Sequence, residues 1–212
     1  MNMAKPKNLI QASTPIERIV HWVLAGSCLF LFLSGFGMMF HSLSFISQFF
    51  PGGMPIMKLL HNIDGLVFGL AFLLALAIWA KDTLSLDVDD INWFRVLGGY
   101  LWEVEKVPEA GKFNAGQKAF FIVLFLFWFV MMATGIFMWF PVFPPVLTRW
   151  LYVFHALGVL VIGGFLVIHF YLGTYGNPGT FQVMGHGYVT KGWAKKHRPK
   201  WLRDMEAGKR SI

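Results

Sequence analysis

Two histidines lie in a single apolar run of the sequence, at His155 and His169. In an α-helix, a separation of 14 residues returns to within about 40° of the starting face and rises about 21 Å along the axis. One imidazole is therefore expected near each end of a membrane-spanning helix, on the same side of that helix. Ionisable side chains inside such spans are costly to bury, so they are candidates for function.

The elements that must position these histidines are four apolar segments. Each is long enough to cross the hydrocarbon core of a bilayer as a helix, which takes about 20 residues. Hydrophobic residues make up 56% of the chain and charged residues only 14%, whereas soluble proteins carry about 25% charged residues. We predict an all-α membrane protein in which a four transmembrane helix bundle forms one domain, 1–212. The predicted spans are 19–40, 57–80, 118–140 and 150–174.

Charge asymmetry predicts the orientation of the spans, because cytoplasmic loops carry an excess of Lys and Arg. The segment 41–55 is uncharged and indicates a turn, and 141–149 carries only Arg149, so both are expected outside. Both termini are predicted to be cytoplasmic at the bacterial inner membrane, with the first span retained and not cleaved as a signal peptide. The positive residues expected inside are Lys5, Lys7, Arg18, Lys81, Arg95, Lys106, Lys112, Lys191, Lys195, Lys196, Arg198, Lys200, Arg203, Lys209 and Arg210. Topology thus explains the net charge of +7 without a nucleic-acid partner.

Two cytoplasmic segments have the composition of amphipathic segments at a membrane surface. Ile91–Val104 mixes aromatic and aliphatic residues with a few charges, although Gly98 and Gly99 weaken the case for one unbroken helix. The tail, 175–212, is rich in Lys and Arg and contains Trp193 and Trp201, which suits contact with anionic lipid.

Topology selects a partner for each of the two histidines of the fourth span. That span runs inward, so His155 lies near the outer surface and His169 near the inner surface. The first span begins inside with His21, and the second begins outside with His61. The predicted pairs are His61 with His155 at the outer level and His21 with His169 at the inner level. Two facing imidazoles at one depth are the axial ligands of a b-type haem iron, so we predict two haem b groups.

The other histidines and the single cysteine are not expected to bind a cofactor. His41 lies about 200° round the first helix from His21 and is predicted to be an interfacial residue. His186 and His197 are expected to be solvated or to contact lipid headgroups. Cys28 alone cannot hold an iron–sulfur cluster, and the sequence contains no C-x-x-C-H for covalent c-type haem.

Five segments carry a resemblance to a known family. They are RIVHW at 18–22, GKFNAGQK at 111–118, HALG at 155–158, HFY at 169–171 and MGHGYVTKGWAKKHRPKW at 184–201. Over nearly its whole length the chain resembles the gamma subunit, a cytochrome b, of bacterial membrane-bound formate dehydrogenases. One departure is Arg198, where the family commonly has a second His before the Pro.

The resemblance implies the same haem ligand pairs and adds a quinone site at Asn114, Gly116 and Gln117, close to His169. Menaquinone or ubiquinone would be the substrate, and Asn and Gln amides offer both donors and acceptors to its carbonyls. An ordinary N-cap role for Asn114 is the alternative.

The resemblance also implies two partner proteins, an iron–sulfur beta subunit and a molybdenum- or tungsten-pterin catalytic alpha subunit. Electrons would enter at the outer side and reduce a quinone near the cytoplasm in a respiratory chain. Apart from quinone reduction, the chain itself is expected to catalyse no reaction.

Two other interpretations of the sequence remain open. The four histidines would also suit the cytochrome subunit of a nickel–iron hydrogenase or another quinone-linked oxidoreductase. A transporter or a membrane anchor without haem is the alternative from a different class, and it predicts that the purified chain carries no pigment.

Overall fold

The computed structural model describes residues 8–209, so the predicted cytoplasmic charges at Lys5, Lys7 and Arg210 lie outside the described residues. Helices account for most of the described chain. In chain order the elements are β1 (Leu9–Gln11), α1 (Pro15–Met39), a 3-10 helix (His41–Phe49), α2 (Gly53–Thr83), α3 (Val88–Val96), a short 3-10 helix (Leu97–Gly99), α4 (Ala115–Trp139), α5 (Pro145–Gly173), α6 (Phe181–Gly185), β2 (Tyr188–Thr190), α7 (Lys191–His197) and α8 (Pro199–Glu206).

Within residues 8–209, the four helices α1, α2, α4 and α5 are long and apolar enough to cross a membrane. Between 11% and 28% of the residues in their most apolar windows are buried by protein. Large side chains such as Leu33, Leu70 and Leu160 are more than half exposed. An apolar surface this extensive is stable in lipid and not in water. The chain is therefore a multi-pass membrane protein, and the prediction of four spanning helices is confirmed.

The helices extend beyond the apolar segments from which they were predicted. α2 begins at Gly53 and ends at Thr83, where the apolar segment was 57–80. At 1.5 Å per residue a helix of 31 residues is about 46 Å long, whereas the hydrocarbon core is about 30 Å thick. Hydrophobicity marks only the part of a helix that must lie in hydrocarbon, so it underestimates the helix itself.

Three helices begin with the same device, a reciprocal capping box. In each, the side chain of the N-cap residue accepts from the backbone N–H three residues later, and the side chain of that later residue accepts from the N-cap N–H. The box satisfies two backbone donors that have no partner inside the helix. The pairs are Thr14 and Glu17 at α1, Asp87 and Asp90 at α3, and Asn114 and Gln117 at α4.

The chain divides into two compact units, and each of the four long helices contributes residues to both. Unit 1 comprises Met1–Arg18, Ala77–Val123 and Val167–Ile212, and unit 2 comprises Ile19–Leu76 and Leu124–Leu166.

Unit 1 contains a two-stranded antiparallel sheet that the all-α prediction did not include. Leu9 in β1 is opposite Thr190 in β2, and Gln11 is opposite Tyr188. Beside the sheet lies a buried apolar cluster made by the start of the chain and by the tail: Ala12, Val183, Val189, Ala194, Trp201 and Leu202. The tail is therefore a folded part of unit 1 with its own core.

Two predicted loop regions also differ from the structure. The segment 41–55 was predicted to be a turn, but His41–Phe49 forms a 3-10 helix before the turn at Pro51 and Gly52. In the segment 91–104, α3 starts earlier, at Val88, and ends at Val96. Leu97, Gly98 and Gly99 all have positive φ, which the helix interior does not allow. The helix thus ends at Val96, and Leu97 is its C-cap, directly before the two glycines.

Candidate functional site

His61 on α2 and His155 on α5 lie together in unit 2. The centres of their imidazole rings are 6.5 Å apart, with an angle of 58° between the ring planes. The structure thus brings together the two residues that the sequence paired at the outer level.

A buried hydroxyl contacts the Nδ1 atom of each of these imidazoles. Ser34 on α1 places its Oγ 2.8 Å from His61 Nδ1. Thr134 on α4 places its Oγ1 2.7 Å from His155 Nδ1. Ser34 is 1% exposed and Thr134 is 5% exposed. All four long helices therefore contribute a side chain to this arrangement.

The residue after each hydroxyl is a glycine that lies against the same imidazole. A Cβ atom added at Gly35 would lie 3.4 Å from His61 Cε1, and one added at Gly135 would lie 3.6 Å from His155 Cε1. Each glycine therefore lies near the ring, at a distance that would still admit a methyl group. Sequence analysis did not single out Ser34, Gly35, Thr134 or Gly135. The signal it could have used is a hydroxyl residue followed by glycine inside an apolar run.

The donor set fits a haem iron better than a bare metal ion. Metal–imidazole bonds are about 2 Å long, so two rings that bind one metal from opposite sides have centres about 6 Å apart. A bare ion such as zinc takes four ligands, yet among the described residues no three His, Cys, Asp or Glu side chains come together. A haem iron takes four of its ligands from the porphyrin, so two imidazoles are the only ligands that the protein would need to supply.

The two histidines of the predicted inner pair lie in different units. His169, in unit 1, stacks on Phe120 of α4 with ring centres 4.8 Å apart and an interplanar angle of 19°. His21, in unit 2, has the edge of its neighbour Trp22 against it at 5.2 Å. Their pairing at one iron stays a prediction.

The polar segment GKFNAGQK is fastened into unit 1 by its two lysines. Lys112 pairs with Glu17 of α1 at 2.5 Å, and Trp79 also donates to Glu17 at 2.9 Å. Lys118 pairs with Asp90 of α3 at 2.6 Å and donates to the Ser85 carbonyl at 2.7 Å. Each pair is at least nine-tenths buried by side-chain area. The loop at the start of α4 is thereby fixed to α1 and to α3.

Asn114 and Gln117, predicted to contact quinone, form the capping box of α4 in this structure, and their side-chain oxygens bond the backbone at 2.9 and 3.0 Å. The helix-cap alternative for Asn114 is thus the observed arrangement. Gly116 allows a close approach, but the group that makes it is Trp93. A Cβ atom at Gly116 would lie 2.7 Å from Trp93 Cη2. The glycine therefore packs α3 against α4.

The three remaining histidines differ in exposure, and His197 is less solvated than the sequence suggested. His41 is exposed at the start of the first 3-10 helix. His186 is exposed, and its Nδ1 accepts from the backbone N–H of Tyr188. His197 is half-buried against Trp193, and burial lowers its pKa from the usual value. Cys28 is a free thiol on α1.

Comparison with known proteins identifies the family of this chain. The family model described as prokaryotic cytochrome b561 matches residues 12–187. The chain therefore belongs to the prokaryotic cytochrome b561 family, whose members are b-type cytochromes.

The relatives it resembles within that family are subunits of one kind of enzyme. The chain is 32% identical over 214 residues to the nitrate-inducible formate dehydrogenase cytochrome b556(Fdn) subunit of Escherichia coli, and this match covers 96% of the chain and 94% of the relative. It is 28% identical to the E. coli formate dehydrogenase cytochrome b556(fdo) subunit, with 95% of both chains covered. It is also 28% identical to the formate dehydrogenase cytochrome b556 subunit of Haemophilus influenzae, with 96% of this chain and 86% of the relative covered.

Proposed function

We propose that this chain is the di-haem cytochrome b subunit of a membrane-bound formate dehydrogenase. It would carry electrons from an iron–sulfur partner subunit across the membrane to quinone. The observation that supports this most directly is the pair of facing imidazoles of His61 and His155 within lipid-spanning helices. The full-length similarity to formate dehydrogenase subunits supports the choice of enzyme.

His61 and His155 would hold the outer haem iron, and His21 and His169 would hold the inner one. A bound haem b would supply one-electron redox chemistry, and these four imidazoles would hold it. The imidazoles of His61 and His155 are partly buried within the protein. With both termini cytoplasmic, His61 and His155 lie towards the outer side and His169 towards the cytoplasm.

The quinone would bind at the start of α4, near Asn114, Gly116 and Gln117. The capping box uses the side-chain oxygens of Asn114 and Gln117, and their amide nitrogens are donors that a quinone carbonyl can accept. The buried ion pairs of Lys112 and Lys118 would hold this loop in a fixed position while the quinone exchanges. An iron–sulfur beta subunit and a molybdenum- or tungsten-pterin alpha subunit would complete the enzyme.

The experiment is the haem-to-protein ratio of the purified complex, measured for four single His→Ala variants. The unchanged chain should bind two haem b groups. His61→Ala and His155→Ala should both lose one and the same haem, recognised by its midpoint potential, and His21→Ala and His169→Ala should both lose the other. His41→Ala and His186→Ala are matched controls that should keep both.

Retention of the second haem in each ligand variant shows that the helices still assemble. Two haems retained in His169→Ala, or different haems lost in His61→Ala and His155→Ala, would overturn the pairing. A complex purified through a tag on this chain should contain molybdenum or tungsten. Nickel in its place would assign the chain to a hydrogenase.

A further inference from the structure

We propose that the hydroxyls of Ser34 and Thr134 set the tautomer and the orientation of His61 and His155, and so tune the reduction potential of the haem held there. The proposal rests on the proposed function, since it concerns the haem between these two histidines. It assigns two positioning residues, one on α1 and one on α4.

The first step of the argument is the placement of protons. A hydroxyl group has one proton to donate. Ser34 Oγ lies 2.7 Å from the backbone carbonyl oxygen of Phe30, and Thr134 Oγ1 lies 2.6 Å from that of Val130. Two oxygens at such a distance require a proton between them, and a carbonyl can only accept. Each hydroxyl therefore donates its proton in a hydrogen bond to the carbonyl four residues earlier in its own helix.

The tautomer of each imidazole follows from that assignment. Since the hydroxyl proton is used, the contacts at 2.8 Å to His61 Nδ1 and at 2.7 Å to His155 Nδ1 must be made by an Nδ1–H group donating to the hydroxyl oxygen. A neutral imidazole with a proton on Nδ1 has its lone pair on Nε2. Nε2 is then the nitrogen that can bind iron, on both sides of the site.

The same hydrogen bond restricts the orientation of each ring. The hydroxyl that accepts from Nδ1 is itself held by the carbonyl four residues earlier in its helix. Rotation of the ring about its Cβ–Cγ bond would break the bond at Nδ1, so the plane that the ring presents to the iron is restricted.

The effect on potential follows from the acceptor strength of the hydroxyl. Hydrogen bonds at the distal nitrogen of a metal-bound histidine raise its basicity as a ligand. A more basic imidazole favours the ferric state. Removal of one hydroxyl should therefore favour the ferrous state and raise the midpoint potential of the outer haem.

The test is potentiometric titration of both haems in the intact complex. Thr134→Val keeps the shape of the side chain and removes its hydroxyl, and Ser34→Ala does the same on α1. In either variant the outer haem should shift upward by up to about tenfold in its reduction equilibrium, which is about 59 mV for one electron. The inner haem should not shift. The low-spin ferric EPR signal of the outer haem should broaden, because its ligand planes are less constrained.

Two further variants separate a positioning role from a packing role. Thr134→Ser restores the hydroxyl and should restore the potential. Thr148→Val is the matched control, because the Thr148 hydroxyl bonds only the carbonyls of Phe143 and Pro144 and should leave both potentials unchanged.

The two proposals fail in different ways. An unchanged chain that binds no haem would overturn the proposed function. Two bound haems with unchanged potential and EPR signal in both Ser34→Ala and Thr134→Val would overturn only the role of the hydroxyls. If Thr134→Val loses the outer haem altogether, the test uses Ser34→Ala, which keeps Thr134. An upward shift of its outer-haem potential supports the role of the hydroxyls, and an unchanged potential and EPR signal overturn it.

Discussion

Gly116 and Trp93 together define how α3 packs against the start of α4. Trp93 is 8% exposed, and its indole fills the space that a side chain at position 116 would need. The resemblance assigned Gly116 to quinone binding, whereas the structure gives it a second and separate reason to be glycine. A loss of activity on changing Gly116 would therefore not by itself identify a quinone contact.

Gly116→Ala should destabilise the chain by about 1–3 kcal/mol, which is the usual cost of forcing an extra group into a packed interior. The measurement is equilibrium unfolding of the purified chain in mixed micelles. In a Trp93→Phe background the added methyl has more room, so the same change should cost less. An equal cost in both backgrounds would show that the indole is not the group that the added methyl meets.

The sequence singled out the four histidines by their joint spacing, whereas it did not single out the hydroxyls. Ionisable side chains are rare in apolar runs, so the four histidines and their spacing were informative. Serine and threonine are common in membrane helices, where they bond the carbonyl four residues earlier whatever else surrounds them. A hydroxyl residue followed by glycine could have marked Ser34 as a candidate, but its bond to His61 depends on how α1 packs against α2, which the pattern does not encode.

The tail forms its own contacts with α3 and with the loop that follows it. Lys200, at the start of α8, bonds Asp87 at 2.7 Å and Asp89 at 2.6 Å. Arg203 pairs with Glu109 through two nitrogens. Asp87 is also the N-cap of α3. Its carboxylate therefore caps that helix and also pairs with Lys200 of the tail.

Acid should release α8 from α3. The hydrogen bond from Lys200 holds the pKa of Asp87 below its ordinary value of 3.8. A lowered pKa stabilises the folded state above the ordinary value, and that contribution is lost as the pH falls through the folded pKa. Hydrogen-exchange protection of the amides of 199–206 should therefore decrease below about pH 3.8. Asp87→Asn keeps the cap without the charge, so its protection should be lower near neutral pH and less dependent on pH. Equal pH dependence in both chains would contradict this role of Asp87.

Long elements were predictable and short ones were not. Length and hydropathy suffice for a spanning helix, because the bilayer imposes both. The strands β1 and β2 have three residues each and pair across most of the chain length. No turn joins them, so the hairpin signals that identify strands are absent. The 3-10 helix at His41–Phe49 was missed because its nine uncharged residues precede Pro51, Gly52 and Gly53, which indicate a turn.

Charge asymmetry predicts that the described tail lies in the cytoplasm, and this orientation can be measured. Cys28→Ser removes the single cysteine of the sequence and provides a background for new ones. In that background, Ser42→Cys should react with an impermeant maleimide in right-side-out vesicles, and Lys195→Cys should react in inverted vesicles. Both positions are exposed. The reverse labelling pattern would invert the topology and with it the assignment of outer and inner haems.

The pairing of β1 with β2 has a consequence for the number of membrane crossings. Hydrogen-bonded strands must occupy the same aqueous compartment, so the chain between Gln11 and Tyr188 has to cross the bilayer an even number of times. This parity rule holds whichever compartment the strands occupy and does not depend on counting lysines. The sheet can also form only after the last crossing is complete. Its appearance would therefore mark the end of insertion during biogenesis.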